Sequence, residues 1–255
     1  MDIQTINNYQ FAQKGEGKPL ILLHGLMGTL SNFEAVLSHF SKNYNVLIPL
    51  LPIYTLPIIN TSVKSIARHL YKFIAELELK DFTLVGNSLG GHVALYYNKN
   101  FSPKSTAMVL SGSSGLYEKS MGDSFPQRSN YEFVKKKTEE VFYNPNNVAT
   151  KALVDTVFEA VNNREKAIRI VMMAKSAIRH NMSKDLKELE IPTCIIWGKQ
   201  DNVTPPNVAE KFHKLLPKSE LHWIDKCGHA PMMEMPKKFN IILEKWLTKI
   251  YNENK

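Results

Sequence analysis

Apolar residues along this chain follow two alternating rhythms. Short unbroken runs occur at Lys18-Pro19-Leu20-Ile21-Leu22-Leu23-His24, Asn45-Val46-Leu47-Ile48, Phe82 to Val85 and Ala107 to Leu110, then at Thr193-Cys194-Ile195-Ile196-Trp197 and Glu220-Leu221-His222-Trp223-Ile224. Their length and continuous hydrophobicity are those of strands buried on both faces. Between them, apolar positions recur at helical spacing, as in Val63, Ile66, Ala67, Leu70, Phe73, Ile74 and Leu77. A closing helix is expected to carry Phe239, Ile241, Ile242, Trp246, Leu247 and Ile250 toward the core. Strand and helix alternating in this way predict an α/β fold, a mostly parallel central sheet flanked by helices. Helix starts have local signals: Ser31 with Glu34 and Ser129 with Glu132 read as capping boxes, and Thr204-Pro205 as an N-cap followed by proline at the first helical position.

The alternation breaks once. From Gly112-Ser113-Ser114-Gly115 to about Glu190 only helical periodicity occurs, through Val154, Val157, Phe158, Val161, Ile168, Val171 and Met172. A strand-free stretch between two sheet strands is best accommodated over the C-terminal edge of the sheet, where ligand crevices form. The expected organisation is therefore a core of residues 1–111 and 191–255, with residues 112–190 inserted as an all-helical lid.

Candidate chemistry lies where the central strand turns into a helix, at Leu84-Val85-Gly86-Asn87-Ser88-Leu89-Gly90-Gly91. A strand, a Gly-x-Ser-x-Gly turn and a helix make a nucleophile elbow that stands Ser88 above the end of the sheet. The five-residue pattern arises by chance in roughly one chain in ten, so its surroundings must decide. A serine nucleophile needs a base, and the base needs an anion to orient it. Asp201 follows the Trp197 strand and His229 follows the Ile224 strand, both in loops after strands. Asp225, only four residues before His229, reads as a turn residue. An oxyanion also needs two fixed donors. The backbone amide of Leu89, at the start of the elbow helix, is one, and that of Leu26 in His24-Gly25-Leu26-Met27-Gly28 is the other. Met27, Met172 and Met232 are candidates for an apolar substrate pocket, while His24, His92 and His180 read as structural or surface histidines.

With the His-Gly loop, the Gly-Asn-Ser-Leu-Gly-Gly elbow, Trp-Gly-Lys-Gln-Asp and Gly-His-Ala-Pro in this order, the chain resembles the α/β-hydrolase superfamily over nearly its whole length. The resemblance implies nucleophile Ser88, acid Asp201, base His229 and oxyanion amides of Leu26 and Leu89. The elbow with a helical lid is also similar to carbon-carbon bond hydrolases of aromatic ring-fission products. Those enzymes carry a longer glycine-rich oxyanion loop, and an aromatic residue where Ala230 stands here. After the Val46 strand, most relatives continue Asp-x-x-Gly-x-Gly, whereas this chain reads Pro49-Leu50-Leu51-Pro52-Ile53-Tyr54-Thr55-Leu56-Pro57, expected to line an apolar wall near the pocket.

Composition adjusts this picture in three places. The net charge of +8 over 255 residues is spread rather than gathered, which reads as solvated helix faces and not as a nucleic-acid surface. The only cysteines are Cys194 and Cys227, expected to be reduced, and neither a metal nor a cofactor is implied. No stretch approaches the ~18 apolar residues of a membrane span and no leader pattern opens the chain, so no membrane insertion and a cytoplasmic location are expected. The expected function is hydrolysis of a small, largely apolar carboxylic ester through a Ser88 acyl-enzyme. Cleavage of a vinylogous diketone, thioester hydrolysis and cofactor-free perhydrolysis use the same residues. A non-catalytic ligand-binding protein on this fold is the reading from another class. Nothing in the sequence reports the oligomeric state.

Overall fold

The computed structural model describes residues 2–117 and 127–253. Its centre is an eight-stranded sheet in the order β1-β2-β4-β3-β5-β6-β7-β8. The six predicted runs form strands β3 (Lys18–Leu23), β4 (Tyr44–Pro49), β5 (Thr83–Asn87), β6 (Ala107–Ser111), β7 (Thr193–Gly198) and β8 (Ser219–Ile224), all mutually parallel. Sequence reading did not find the first two strands, β1 (Ile3–Ile6) and β2 (Tyr9–Lys14). They form an antiparallel hairpin on the sheet edge, turned at Asn7 with φ +51°. β1 is exposed on every residue, so it lacks the apolar run by which a strand is recognised.

Side chains alternate across the sheet with period two. Ile21, Leu23, Leu84, Leu110, Ile195 and Trp197 face one core, packed beneath helices α2 (Val63–Glu76), α3 (Leu89–Asn100) and α7 (Pro206–Leu215). Leu20, Leu22, Val85, Val109, Cys194 and Ile196 face the other, beneath α1 (Glu34–Phe40), the short α8 (Pro231–Glu234) and α9 (Pro236–Glu253). With each buried aliphatic side chain contributing about 1.5–3 kcal/mol, the two layers fix strand register, since a one-residue slip would exchange the two sets.

Between β6 and β7 lie α4 (Tyr131–Glu139), α5 (Lys151–Asn162) and α6 (Arg164–Arg179), with no strand among the described residues of that segment. Val134, Val157, Ala160, Val161 and Ile170 form a third, smaller apolar cluster that reaches Leu26, Met27 and Tyr54.

Local helix signals were displaced by a residue or more. The chain enters α1 through a 3-10 turn capped reciprocally by Thr29 and Asn32, so Ser31 and Glu34 do not form the capping box. Asn130 rather than Ser129 caps α4, accepting from the Phe133 amide at 3.1 Å. α7 starts at Pro206, which leaves Thr204 free of the capping role and available to the site described below. In α9, Ile241 is half exposed, whereas Phe239, Trp246, Leu247 and Ile250 are buried.

The strand order places β3 and β5 side by side, while the connections leaving them run to opposite edges. At such a switch point the loops diverge and open a crevice at the carboxyl ends of the strands. Residues 24–28 and the turn at Ser88 border that crevice.

Candidate active site

Ser88 has φ 54° and ψ −120° between β5 and α3. A non-glycine residue there stores on the order of 1–3 kcal/mol of strain, which the surrounding contacts must hold. Its amide donates to Ser111 O at 3.0 Å, and its carbonyl accepts from the Gly91 amide at 3.1 Å and the Ser114 amide at 3.2 Å. The flanking glycines act by close approach rather than by unusual dihedrals. A Cβ on Gly90 would lie 2.0 Å from Leu23 O, and one on Gly86 2.4 Å from the Gly91 amide nitrogen. The strained residue is the serine, and the glycines let β3, β5 and α3 crowd around it.

His229 and Asp201 meet across a buried contact, Nδ1 to Oδ2, of 2.9 Å. Asp201 is saturated: Oδ1 accepts from the amides of Val203 at 2.8 Å and Thr204 at 2.9 Å, and Oδ2 also accepts from the Thr204 hydroxyl at 2.8 Å. Thr204 Oγ1 lies 3.2 Å from His229 Nδ1 as well, closing a triangle with the carboxylate. Such donors stabilise a carboxylate without neutralising it, and so keep an acceptor facing the imidazole. Asp225, the rival carboxylate, lies on an exposed loop with Gln200 Nε2 at 3.3 Å.

The His229 loop is fastened from three sides. Asn87 Nδ2 donates to His229 O at 3.0 Å and to Ser111 O at 2.9 Å. The His229 amide donates to Val141 O at 2.9 Å. Glu234 accepts from the amides of Gly228 and Asn144, each at 2.7 Å, joining that loop to the stretch after α4. Gly112, at φ +52°, passes so close that a Cβ would stand 2.6 Å from His229 O and 2.8 Å from Nδ1. Sequence reading did not find Thr204, Asn87, Glu234 or Gly112. Only Asn87, inside the elbow, stood near a recognisable signal.

The residues 24–28 loop comes beside the serine, where a Cβ on Gly25 would lie 3.2 Å from Ser88 Cβ. His24 stiffens it: Nδ1 contacts Gly25 O at 2.9 Å and Nε2 accepts from the Leu51 amide at 3.2 Å. Burial holds its pKa below the usual histidine value, so the ring is neutral and Nδ1 carries the hydrogen that reaches Gly25 O. Leu89 is the first residue of α3, and its amide therefore has no acceptor within the helix.

Ser88, Leu89, Leu26, Met27 and His229 line one cavity of about 140 Å³, closed by Val157, Met173, Ala177 and Met233. That volume compares with an engineered apolar cavity that holds benzene. Of the three methionines expected in the pocket, Met27 lines it and Met172 and Met232 do not. Met172 points outward and Met173 lines the cavity; Met232 is buried in the α1–α9 core and Met233 takes its place. Neighbouring residues on a helix point about 100° apart, so a one-residue error exchanges solvent for pocket. The 49–57 loop also differs from expectation. None of its residues lines this cavity; Tyr54 packs behind Leu26, its hydroxyl 3.4 Å from Leu26 O. Among the described residues no cluster of His, Cys, Asp and Glu side chains is placed to hold a metal ion, and no helix is long and apolar enough to cross a membrane.

Known proteins resemble this chain in sequence and in fold. The profile described as Alpha/beta hydrolase family matches residues 20–240. Human monoacylglycerol lipase ABHD6 is 24% identical over 96% of this chain and 81% of its own length. The 2-hydroxy-6-oxo-6-(2'-aminophenyl)hexa-2,4-dienoic acid hydrolase of Metapseudomonas resinovorans is 27% identical, covering 90% of this chain and 84% of its own. The solved structure of MGS-MChE2, an alpha/beta hydrolase enzyme from the metagenome of lagoon sediments at Mar Chica, Morocco, has a TM-score of 0.81 and 44% identity, covering 98% of this chain and 99% of that one. A serine in a strained strand-to-helix turn at the switch point of a mostly parallel sheet, together with a family match across most of the sequence, makes this chain a hydrolase belonging to the alpha/beta hydrolase family.

Proposed function

We propose that the protein hydrolyses a small, largely apolar carboxylic ester through an acyl-enzyme on Ser88, with residues 112–190 serving as a lid over the site. The observation that carries this reading is the shared cavity: Ser88 and His229 line it, while Asp201 is buried behind the imidazole at 2.9 Å. His229 takes the proton from Ser88 Oγ as that oxygen attacks the ester carbonyl, and Asp201 stabilises the resulting imidazolium. The amides of Leu26 and Leu89 receive the developing oxyanion. Collapse of the tetrahedral intermediate expels the alcohol, which takes the proton from His229. Water activated at the same imidazole then releases the acid and restores Ser88. The apolar lining and the volume of about 140 Å³ favour a short or medium acyl group.

The relative named as a hydrolase of 2-hydroxy-6-oxo-6-(2'-aminophenyl)hexa-2,4-dienoic acid supports a second reading, hydrolysis of a vinylogous diketone by the same residues. One experiment separates the two. Wild type and Ser88→Ala are exposed to a fluorophosphonate probe, to p-nitrophenyl esters of increasing acyl length and to a ring-fission diketone. Labelling and ester turnover in wild type, both lost by about 10⁵-fold or more in the variant, are the expected outcome. Diketone turnover in preference to every ester would replace the ester reading, and full ester turnover by Ser88→Ala would end it.

A further inference from the structure

Helix α6 is apolar on two sides, yet only one is covered. Met173 and Ala177 face the cavity and Ile170 the cluster behind it. On the opposite side Ile168, Val171 and Met172 remain 38%, 44% and 37% exposed, and Ile178, at the border between that side and the cavity, is 44% exposed. A helix of a globular protein normally turns a polar face to water, so three branched or long apolar side chains on its outer face, with a fourth at its border, are unpartnered surface. Interleaved among them are exposed Arg164, Lys175 and Arg179. The ion pair that α6 makes among the described residues is Arg169 to Glu165 at 3.4 Å, and it leaves these three cations uncompensated.

The surface extends beyond the helix. Arg169 Nε donates to Leu56 O at 2.8 Å, and Ser176 Oγ accepts from the Val63 amide at 3.2 Å. These contacts hold the apolar loop that follows β4 alongside α6. The loop ends in the Ile58–Asn60 turn, where Ile59 is 89% exposed. The unusual apolar sequence after β4 thus has one part packed behind Leu26 and another presented to solvent beside α6. The face also meets the site, because Ile178 lines the Ser88 cavity while standing partly in solvent.

We infer that the outer face of α6 and the Ile58–Asn60 turn dock on an anionic lipid surface, presenting the mouth of the Ser88 cavity to it. The inference rests on the proposed ester hydrolysis for its purpose, since apolar esters concentrate in bilayers. Its geometry stands without that reading. An interfacial helix places apolar side chains at the headgroup and acyl boundary and cations against lipid phosphates, which is the mixture found here. A second copy of the chain fits less well, because a twofold contact pairs this face with itself and would gather Arg164, Lys175 and Arg179 of both copies in one interface. The protein would lie on the bilayer and not span it.

The test is vesicle flotation of the whole chain, with phosphatidylcholine vesicles that contain or lack phosphatidylglycerol. Wild type is expected to float with the anionic vesicles, less well as salt is raised, and to remain behind with neutral ones. The double variant Ile59→Glu with Val171→Glu, neither of which lines the cavity, is expected to lose roughly tenfold or more in vesicle affinity. Its turnover of a soluble p-nitrophenyl ester should stay within about twofold of wild type, which also reports that it folds. Absence of wild-type flotation, or equal flotation of the variant, overturns the inference. So does a wild-type dimer that the double variant dissolves, since the face would then belong to a second copy. Ser88→Ala is expected to float as wild type does. Flotation without any ester turnover would defeat the ester reading alone, and turnover without flotation the docking alone.

Discussion

The carboxyl edge of the sheet and the helices above it are built from different contacts. At the edge, position is set by buried, directional polar bonds: three donors besides His229 converge on Asp201, and Asn87 ties the His229 loop to β6. In α4–α6 the joining contacts are mainly apolar, Val134, Val157, Ala160, Val161 and Ile170 against Leu26, Met27 and Tyr54. Directional bonds inside a low-dielectric interior hold a geometry to a fraction of an ångström, whereas apolar packing specifies volume and tolerates exchange. The first region is therefore suited to the chemistry and the second to substrate choice. Polar seams between them include the Val141 and Glu234 bonds to the His229 loop and a part-buried contact of 2.9 Å between His92 Nε2 on α3 and His180 Nδ1 at the end of α6.

If the division is right, the largest effect comes from the directional region. Asp201→Asn keeps the shape of the side chain but removes the charge and the tautomer control, and should lower kcat by about 10⁴-fold with little change in KM. A loss under tenfold in steady-state assays would show that the buried carboxylate is structural. A smaller and qualitatively different response is expected in the apolar region. Met173→Trp fills part of the cavity, and should lower kcat/KM for long acyl esters relative to acetate by roughly 10- to 100-fold, one or two methylenes at a time. An equal loss on all chain lengths would mean that α6 takes part in the chemistry as well as the fit.

The smallest effect tests the seam. Burial lowers the pKa of His92 from 6.5 to about 3, with the neighbouring His180 adding to the depression. The folded chain thus binds fewer protons than the unfolded one between these values. The stability contribution is complete above pH ~6.5 and falls as pH drops, by roughly 1.4 kcal/mol per pH unit for this one group. Denaturant midpoints for wild type and His92→Gln at pH 7 and pH 5.5 should show the shallower pH dependence in the variant. Parallel curves would remove His92 from the acid response.

Legibility differed between these regions for the same reason. The buried strands were readable because parallel strands covered on both faces leave an uninterrupted apolar run, and β1 was not because every one of its residues is exposed. Ser88, Asp201 and His229 stood at strand ends that the runs marked. Thr204 has the local signature of a helix cap, a common use of threonine, and nothing local reveals that a carboxylate three residues earlier claims its hydroxyl. Met172 and Met173 both fit the helical period, and only the third dimension chooses which of them faces the cavity.

The strand and helix alternation, the elbow and the chain order of serine, aspartate and histidine are legible in the chain alone, since each is written in local periodicity or in residues at strand ends. Tertiary structure alone decided what surrounds them: that Thr204 completes the Asp201 site, that Asn87 and Glu234 fasten the His229 loop, and that α6 turns Met173 inward and Val171 outward. Those contacts join residues from 3 to 142 positions apart, and the helix and loop ends that make them are set by packing against the rest of the molecule.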